Sequence, residues 1–363
     1  MKFNAYKLSM VGALLVVAAG LSPSIGTVAQ ASTTSAPQQR GINTYFTYNC
    51  QSASIIAKWA HTEFSQYKAL GANTVAITFP LYTDNITSNK VYGRDVCNNP
   101  NYQTPSVGIL GTVISVAKSL GLKVFERPAI NSANLVKQNP TYWAGDIKPN
   151  NVNLWFTNYV ATLKPYLVQA QQLKVDSLAI SSELDSMSLK TQWKATIATF
   201  HKEYAGKMVF NFSWNSSGGK AYWAGTSTGI DAYPSIPSAA DNSSPAALLA
   251  LWNQLLASSP KYKLTSVSTI TIDEIGLPAQ DRVFSYPWVS NFSLVTHPFN
   301  AVNQANWFTA ACNFAKTHQM PGIYYWGPWL GNRSGAMLKV NDPKHSSDIQ
   351  PLTQQAIKAC FTS

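Results

Sequence analysis

Two glutamates stand where apolar, strand-like segments of this sequence end. Glu183 follows the apolar run 178–180 and two serines, and Glu274 ends the β-branched run 268–273. Acids are scarce in the chain, with 16 Asp and Glu against 27 Lys and Arg. We predict two buried strands whose carboxyl ends present these acids to a pocket. The alternative is that they are surface acids where loops begin.

Two converging carboxyl groups have the chemistry that hydrolysis of a glycosidic bond requires. One donates a proton to the leaving oxygen, while the other attacks the anomeric carbon or activates water. A separation of about 5 to 5.5 Å gives retention, and about 6.5 to 9.5 Å leaves room for water and gives inversion. We assign Glu183 as acid/base and Glu274 as nucleophile. The first must then stay protonated and the second ionised.

Other polar residues near predicted strand ends are candidates to assist the pair. Arg127 ends the third strand and can hold a carboxylate or a sugar hydroxyl, or form a surface salt bridge. Tyr233 follows the sixth strand and can donate a hydrogen bond to the nucleophile, or only pack at the rim. Asp185 and Asp273 flank the glutamates, and we interpret them as capping or supporting groups.

Three tryptophans lie at the ends of predicted strands. Trp214 ends the fifth strand, and Trp326 and Trp329 end the eighth. The face of an aromatic ring suits the C–H surface of a sugar, but buried tryptophan also fills protein cores. We expect two of the three to line a cleft.

Strand-like and helix-like segments alternate from residue 41 to the C-terminus. Eight strands are predicted, at 41–46, 73–79, 122–128, the run ending at Glu183, 208–214, 229–234, the run ending at Glu274, and 322–326. No linker interrupts the series, which predicts one α/β domain over 41–363, a (β/α)8 TIM barrel. Its chemistry would lie at the carboxyl ends of the strands, where the fourth and seventh strands face each other across the mouth.

The N-terminus has the layout of a secretory signal peptide. Lys2 and Lys7 precede an uncharged apolar run, 10–19, and small residues at 29–31 offer a cleavage site. We therefore assign 1–31 as signal peptide and 32–40 as a polar lead-in. A retained membrane anchor is the competing interpretation, although the apolar run is short for a membrane span.

The mature chain would be basic and would have an even number of cysteines. The formal net charge of +11 becomes +9 once Lys2 and Lys7 are removed. A basic balance suits a polyanionic wall or an acidic glycan, but the basic residues are scattered, which is typical of a solvated surface. No nucleic-acid-binding motif accompanies them.

Four cysteines in an exported chain allow two disulfides. We favour Cys50 with Cys97 and Cys312 with Cys360, since each pair would join neighbouring parts of the predicted barrel. The sequence has no Cys-x-x-Cys pair and its five histidines are dispersed, so a zinc site is not expected.

From the first predicted strand to the eighth, the chain resembles glycoside hydrolase family 113, whose members are clan A (β/α)8 enzymes known mainly as β-mannanases. The matching segments are 69–75, 104–106, 120–124, 143–147, 155–156, 182–184, 229–233, 273–276 and 325–329. Their order and spacing across nearly the whole domain make the set specific. The resemblance implies a retaining mechanism with Glu183 as acid/base and Glu274 as nucleophile. It also matches Tyr233 to a nucleophile-side tyrosine and Trp326 to a sugar-platform tryptophan.

Three positions depart from the pattern expected of this family. Ser182 precedes the acid where a larger polar residue is expected, Ser213 stands where Asn is expected, and Arg127-Pro128 replaces Lys-Pro. These positions lie where the sugar would bind, so Ser182 joins the substrate-binding candidates. The departures concern mannan specificity more than the class of reaction.

We therefore expect a secreted, extracellular, monomeric glycoside hydrolase whose partner is a poly- or oligosaccharide, with β-mannan as the leading substrate. Basic charge could hold the enzyme at a cell wall. No cofactor, metal, nucleic acid or membrane partner is implied. One alternative is the same chemistry on another wall glycan or exopolysaccharide. Another is a carbohydrate-binding protein without turnover, against which the presence of both glutamates argues.

Overall fold

Eight parallel strands form a closed barrel, with each strand paired to the next and β8 paired back to β1. The computed structural model describes residues 36–95, 97, 103–214, 223–258, 267–288, 297–331 and 337–363. The strands are β1 Gln39–Tyr45, β2 Thr74–Leu81, β3 Lys123–Ile130, β4 Ser177–Ser181, β5 Lys207–Ser213, β6 Ser227–Asp231, β7 Ile270–Ile275 and β8 Gly322–Trp329. The predicted (β/α)8 barrel is confirmed. The predicted signal peptide and residues 32–35 of the lead-in lie outside the described residues.

Helices connect most of the strands and cover the outside of the barrel. They are α1 Ala53–Ala69, α2 Val107–Ser119, α3 Val152–Gln172, α4 Gln192–Glu203, α5 Pro245–Ser258, α6 Ala301–Thr317 and α7 Pro351–Thr362. Polar caps begin several of them: Ser52, Ser106 and Asn151 each accept a hydrogen bond from a backbone N–H in the first turn. Such caps satisfy amide groups that the helix leaves unpaired. Among the described residues, no helix is both long and apolar enough to cross a bilayer.

The core has two layers, because alternate strand residues point into and out of the barrel. The larger layer lies between strands and helices. A smaller apolar cluster comprises Ala76, Phe125, Ala179, Val209 and Tyr324, one from each of five strands. Two residues further along β3 comes Arg127, and the same step along β5 brings Asn211. We therefore place the apolar cluster inside the barrel, with buried polar residues above it towards the carboxyl ends.

Both predicted disulfides are present. Cys50 is bonded to Cys97, which joins the loop after β1 to the long loop after β2. Cys312 of α6 is bonded to Cys360 of α7, and these two helices pack side by side. The pairing predicted from neighbouring parts of the barrel is thus confirmed.

Candidate active site

Glu274 lies within β7 and receives hydrogen bonds from three different strands or their loops. The Tyr233 hydroxyl donates to its Oε1 at 2.7 Å, and Nη1 of Arg127 donates to its Oε2 at 2.8 Å. Nδ2 of Asn43 makes a longer contact of 3.4 Å with the same Oε2. The side chain is 17% exposed, so one part of the carboxylate remains open. These donors stabilise the ionised form of Glu274.

The register of the barrel shifts next to Glu274. Its pairing with Asp231 of β6 follows an irregularity between Ile230 and Asp231, and the pairing of β7 with β8 shifts between Ile272 and Ile275. An extra residue in one strand of a pair locally re-aims the side chains, and such irregularities recur beside active sites. Side chains at 273–275 therefore do not alternate strictly between the inside and the outside of the barrel, and Glu274 lies in this irregular stretch.

Glu183 lies two residues beyond the end of β4 and has a left-handed backbone conformation, with φ of 53°. This region is unfavourable for a residue with a β-carbon and is common at functional sites. Among the described residues no donor hydrogen-bonds the Glu183 carboxyl. Burial raises its pKa well above the usual range, and the carboxylates of Asp231, Glu274 and Asp185 raise it further. This environment favours a protonated acid.

The two glutamates therefore have different surroundings. Burial and Asp231 raise the pKa of Glu274 to about 7, while Arg127 and the Tyr233 hydrogen bond hold it down. Among the described residues no such donor reaches Glu183, and the charge of Arg127 opposes the rise in its pKa. We conclude that Glu274 loses its proton first.

Arg127 lies inside the barrel and is 1% exposed. Its Nη2 donates to both carboxylate oxygens of Asp231, each at 2.8 Å, and its Nη1 donates to Glu274 and to the backbone oxygen of Asp273. The strand continues three residues past Arg127, so the guanidinium projects into the barrel mouth rather than from a strand end. The surface salt bridge considered from the sequence does not occur. A planar fork of donors suits this bridging of two carboxylates.

A second layer of polar residues supports Asp231 and Asp273. Asn211 donates to Oδ1 of Asp231 at 2.9 Å and to Oδ2 of Asp273 at 3.2 Å, and Thr271 donates to the other oxygen of Asp273 at 2.5 Å. A β-carbon at Gly229 would lie 1.6 Å from Asp273 Oδ2. Only glycine therefore leaves space for this buried carboxylate.

The sequence analysis missed Asn43, Asn211 and Asp231 as site residues. Each is a polar residue of a barrel strand, and each is at most 2% exposed. Thr78 donates to Oδ1 of Asn43 at 2.7 Å, which directs the amide nitrogen of Asn43 towards Glu274. Buried polar groups need such partners. A search of the predicted strands for polar residues at inward-facing positions could have identified these three.

Ser182 and Asp185 lie on either side of Glu183 and differ in their contacts. The Ser182 hydroxyl is buried and has no partner among the described residues. Asp185 belongs to a short 3₁₀ turn, Asp185–Met187, and accepts hydrogen bonds from both the hydroxyl and the backbone N–H of Ser213 at the end of β5. Asp185 therefore ties the β4 loop to β5, in agreement with its interpretation as a supporting group.

The three predicted tryptophans divide into two groups. Trp326 and Trp329 are partly exposed and lie around Tyr45, with ring centroids 6.0 and 5.2 Å away. A β-carbon at Gly276 would lie 3.1 Å from Cβ of Trp326 and 3.2 Å from the Tyr233 hydroxyl, so Trp326 is near the hydroxyl that donates to Glu274. These two tryptophans have the accessibility that a sugar platform requires.

Trp214 has a different environment from Trp326 and Trp329. It is only 4% exposed, and its ring packs against Trp252 at 5.8 Å and Phe314 at 6.2 Å. The structure therefore places its indole in the hydrophobic core between strands and helices. We do not include Trp214 in the sugar platform proposed below.

Among the described residues, the barrel mouth has no group of three His, Cys, Asp or Glu ligand atoms close enough together to hold a metal ion. Among the described residues, a grouping with suitable spacing is Cys50, Asp95 and Cys97, but both sulfurs are joined in a disulfide. The barrel mouth instead combines several carboxyl groups with one arginine. This set of groups suits proton transfer and nucleophilic attack by a carboxylate.

Comparisons with known proteins agree with this fold. Among solved structures, a family 113 β-1,4-mannanase aligns with a TM-score of 0.67 and 16% identity, over 90% of this chain and 99% of its own. The family 113 β-mannanase AaManA from Alicyclobacillus acidocaldarius, in complex with ManMIm, gives 0.66 and 17%, over 90% and 97%. A family 5 mannosidase from Rhizomucor miehei gives 0.52 and 13%, over 90% and 92%. At these identities the likeness establishes the barrel fold.

Sequence comparison identifies the family. A search of curated protein sequences gave no match. The sequence profile of Glycoside Hydrolase Family 113 matches residues 44–341, which span the barrel from β1 past β8. This match covers most of the chain and includes both glutamates, Arg127 and Tyr233. The chain therefore belongs to Glycoside Hydrolase Family 113.

Proposed function

We propose that this protein is a secreted, retaining glycoside hydrolase that cleaves β-linked polysaccharide, most specifically β-1,4-mannan. The observation that carries the proposal is the contrast between the two glutamates. Glu274 receives hydrogen bonds from Arg127 and Tyr233, whereas the Glu183 carboxyl has no hydrogen-bond donor among the described residues and a pKa well above its usual range. One carboxyl is thus suited to nucleophilic attack and the other to proton donation.

The reaction would proceed by double displacement. The Glu274 carboxylate attacks the anomeric carbon while Glu183 gives its proton to the glycosidic oxygen, and the bond between that carbon and oxygen breaks. A glycosyl ester on Glu274 results. Glu183, now ionised, takes a proton from water, whose oxygen attacks the anomeric carbon and releases Glu274. Glu183 regains its proton, so the enzyme returns to its starting state.

Arg127 and Tyr233 would act on the nucleophile rather than on the leaving group. Both donate to Glu274 and stabilise its negative charge before attack. When the glycosyl ester forms, this charge is lost and the two hydrogen bonds weaken. They strengthen again as Glu274 leaves, which favours release of the sugar in the second step.

The substrate class follows from the relatives together with the platform residues. The similar structures of family 113 are β-mannanases, and Trp326 and Trp329 offer partly exposed aromatic surface, with Trp326 near Tyr233. Ser182 and Ser213 are smaller than the residues expected at these positions in the family. A second candidate is therefore the same chemistry on an acidic wall glycan, which the basic net charge favours.

Secretion is supported by the two disulfides together with the signal-peptide pattern of residues 1–31. Disulfides persist in oxidising compartments and are rare in the cytosol. N-terminal sequencing of the protein recovered from the culture medium of its natural host would test this part of the proposal. We expect the mature chain to begin just after Ala31.

The substrate is tested by mass spectrometry of products from a panel of polysaccharides that includes β-1,4-mannan, β-1,4-glucan and acidic wall glycans. Wild type is compared with Glu274→Ala and Glu183→Gln. We expect oligosaccharides from mannan with wild type and none with Glu274→Ala. Binding without hydrolysis across the panel would instead indicate a carbohydrate-binding protein, and unchanged product release by either variant would refute the site assignment.

A further inference from the structure

An exposed pair of aromatic rings lies on the loop between β7 and α6. Tyr286 is 57% exposed and Trp288 is 50% exposed, and their ring centroids are 6.0 Å apart with an interplanar angle of 85°. Other large apolar side chains exposed among the described residues are aliphatic: Ile55, Val136, Leu154, Leu189, Val302, Val340 and Leu352. Single exposed aliphatic residues are ordinary, but two adjoining aromatic rings form a patch that water solvates poorly.

Buried residues anchor the backbone that carries the aromatic pair. Val283 and Phe284 form a short 3₁₀ turn and are buried, and the Phe284 ring packs on Trp307 of α6 at 5.8 Å. Pro287, between the two exposed rings, is buried and has a fixed φ angle. The segment thus alternates anchoring residues with exposed aromatic ones. In the described part of the loop, buried residues therefore anchor the backbone next to both rings.

The same loop is joined to the loop that carries Tyr233. The backbone N–H of Ile236 donates to the Phe284 oxygen at 2.7 Å, and the Ser235 hydroxyl donates to the Ser285 oxygen at 2.7 Å. Tyr233 in turn donates to Glu274. The pair therefore lies on the carboxyl face of the barrel, on the side where β6 and β7 border the candidate cleft.

We propose that Tyr286 and Trp288 form an outlying binding subsite for a β-linked glycan chain that extends from the catalytic cleft over the β6 and β7 loops. This inference rests on the proposed polysaccharide substrate. The occupant is a sugar chain because aromatic faces pack against sugar C–H surfaces and because the loop that carries the pair is hydrogen-bonded to the loop that carries Tyr233. The two rings are nearly perpendicular, so a chain would contact the face of one and the edge of the other.

Such a subsite would act on long substrates only. A chain that reaches both the cleft and the aromatic pair gains contacts in both places, whereas a trisaccharide fills the cleft alone. Binding energy from the remote part then lowers the KM for polymer without any change at the reacting bond. The catalytic groups Glu183 and Glu274 are not contacted by the pair, so turnover of short substrates would not depend on it.

The test compares wild type with the double variant Tyr286→Ala/Trp288→Ala on soluble galactomannan and on mannotriose. We expect kcat/KM on the polymer to fall by about tenfold, while kcat/KM on mannotriose changes by about twofold or less. Trp288→Phe keeps an aromatic face and should restore most of the polymer activity. Leu154→Ala removes an exposed apolar side chain on α3 and serves as the matched control, with both activities unchanged.

Affinity electrophoresis in gels that contain galactomannan provides a readout independent of turnover. Each protein carries Glu274→Ala in this assay, and we expect the double variant to lose retardation that the parent shows. Equal retardation of parent and double variant would overturn the subsite, as would an equal loss of activity on polymer and mannotriose. Failure of wild type to hydrolyse both galactomannan and mannotriose would count against the proposed function, and the gel assay would still decide the subsite. A change in oligomeric state without a change in retardation would assign the patch to contact between protein chains instead.

Discussion

Both carboxylate oxygens of Asp231 lie 2.8 Å from Nη2 of Arg127, inside the barrel and out of contact with solvent. The opposite nitrogen of the same guanidinium donates to Glu274. Arg127 is thus shared between the candidate nucleophile and a second acid that does not face the cleft. Asp231 is a positioning residue in this account, because it fixes the fork of donors that reaches Glu274 and because its charge raises the pKa of both glutamates.

Replacement of Asp231 by Asn should move both limbs of the pH profile of kcat/KM towards acid. Loss of the negative charge favours ionisation of Glu183, so the alkaline limb, where the acid loses its proton, shifts to lower pH. The acidic limb, set by Glu274, shifts in the same direction. Asp176→Asn is a control at the amino end of β4, where the carboxylate contacts Lys118 and the backbone of β3. An Asp231→Asn profile superimposable on wild type would contradict the role of Asp231.

Replacement of Tyr233 by Phe should shift only the acidic limb, and towards neutral or alkaline pH. The hydrogen bond from Tyr233 holds the pKa of Glu274 down at about 7, so its loss in the variant raises that pKa. Hydrogen bonds to charged groups contribute about 1.5 to 3 kcal/mol, so kcat should fall by roughly tenfold to a hundredfold. Tyr324→Phe removes a hydroxyl that contacts Gln39 at the amino end of the barrel, and it is the matched control. A smaller effect for Tyr233→Phe than for this control would argue against the assignment.

Glu126 makes stability depend on pH, apart from any role in the site. Both of its carboxyl oxygens are buried without a hydrogen-bond partner, and burial raises its pKa to about 8. The unfolded chain loses this proton near pH 4.3, so the folded state binds an extra proton between that value and about 8. Stability therefore falls as pH rises across this window, by up to about 5 kcal/mol.

Thermal unfolding of Glu126→Gln checks this contribution. Gln has no charge to bury, so the variant should melt at a higher temperature than wild type at pH 8.5 and at a similar temperature at pH 5. Glu203→Gln breaks an exposed ion pair with Lys164 and should change Tm only slightly at both values. Equal differences between Glu126→Gln and wild type at the two pH values would disprove the linkage.

The disulfide between Cys312 and Cys360 should stabilise the folded protein by joining α6 and α7, without affecting kcat. It joins α6 to α7 across a sequence separation of 48 residues. Loop closure over this length corresponds to about 4 kcal/mol in the chain-entropy treatment. We expect Cys312→Ala/Cys360→Ala to lower the urea midpoint strongly and to keep wild-type kcat at 25 °C. A midpoint equal to that of wild type under oxidising conditions would contradict this expectation.

The sequence was sufficient to predict the barrel because its elements agree with one another. Glycines and polar caps separate apolar runs of strand length from amphipathic helices, and each run predicted as a strand overlaps one of the eight strands. The two glutamates were identifiable because each follows such a run. The cysteine pairing followed from the order of elements once the barrel was assumed.

The buried residues that contact Arg127 and Glu274 were harder to predict, because their role depends on which strand positions face into the barrel. Asp231 and Asn211 become recognisable only when the register brings them beside Arg127. Trp214 illustrates the opposite problem. Trp214 directly follows the last residue of β5. Successive strand residues point to opposite sides, so a change of one residue in the strand would turn this side chain from the core towards the cleft. In the structure its indole packs on Trp252. Local pattern does not encode that choice.

The central claim is that Glu274 forms a covalent bond with the substrate sugar. A 2-deoxy-2-fluoroglycosyl fluoride of the sugar that the wild type releases should trap this intermediate, because the fluorine slows its hydrolysis. Peptide mass spectrometry of the inactivated enzyme measures where the label is attached. Our account predicts one label, on Glu274, and no labelling of Glu274→Ala. A label on another residue, or inactivation without any covalent adduct, would contradict it.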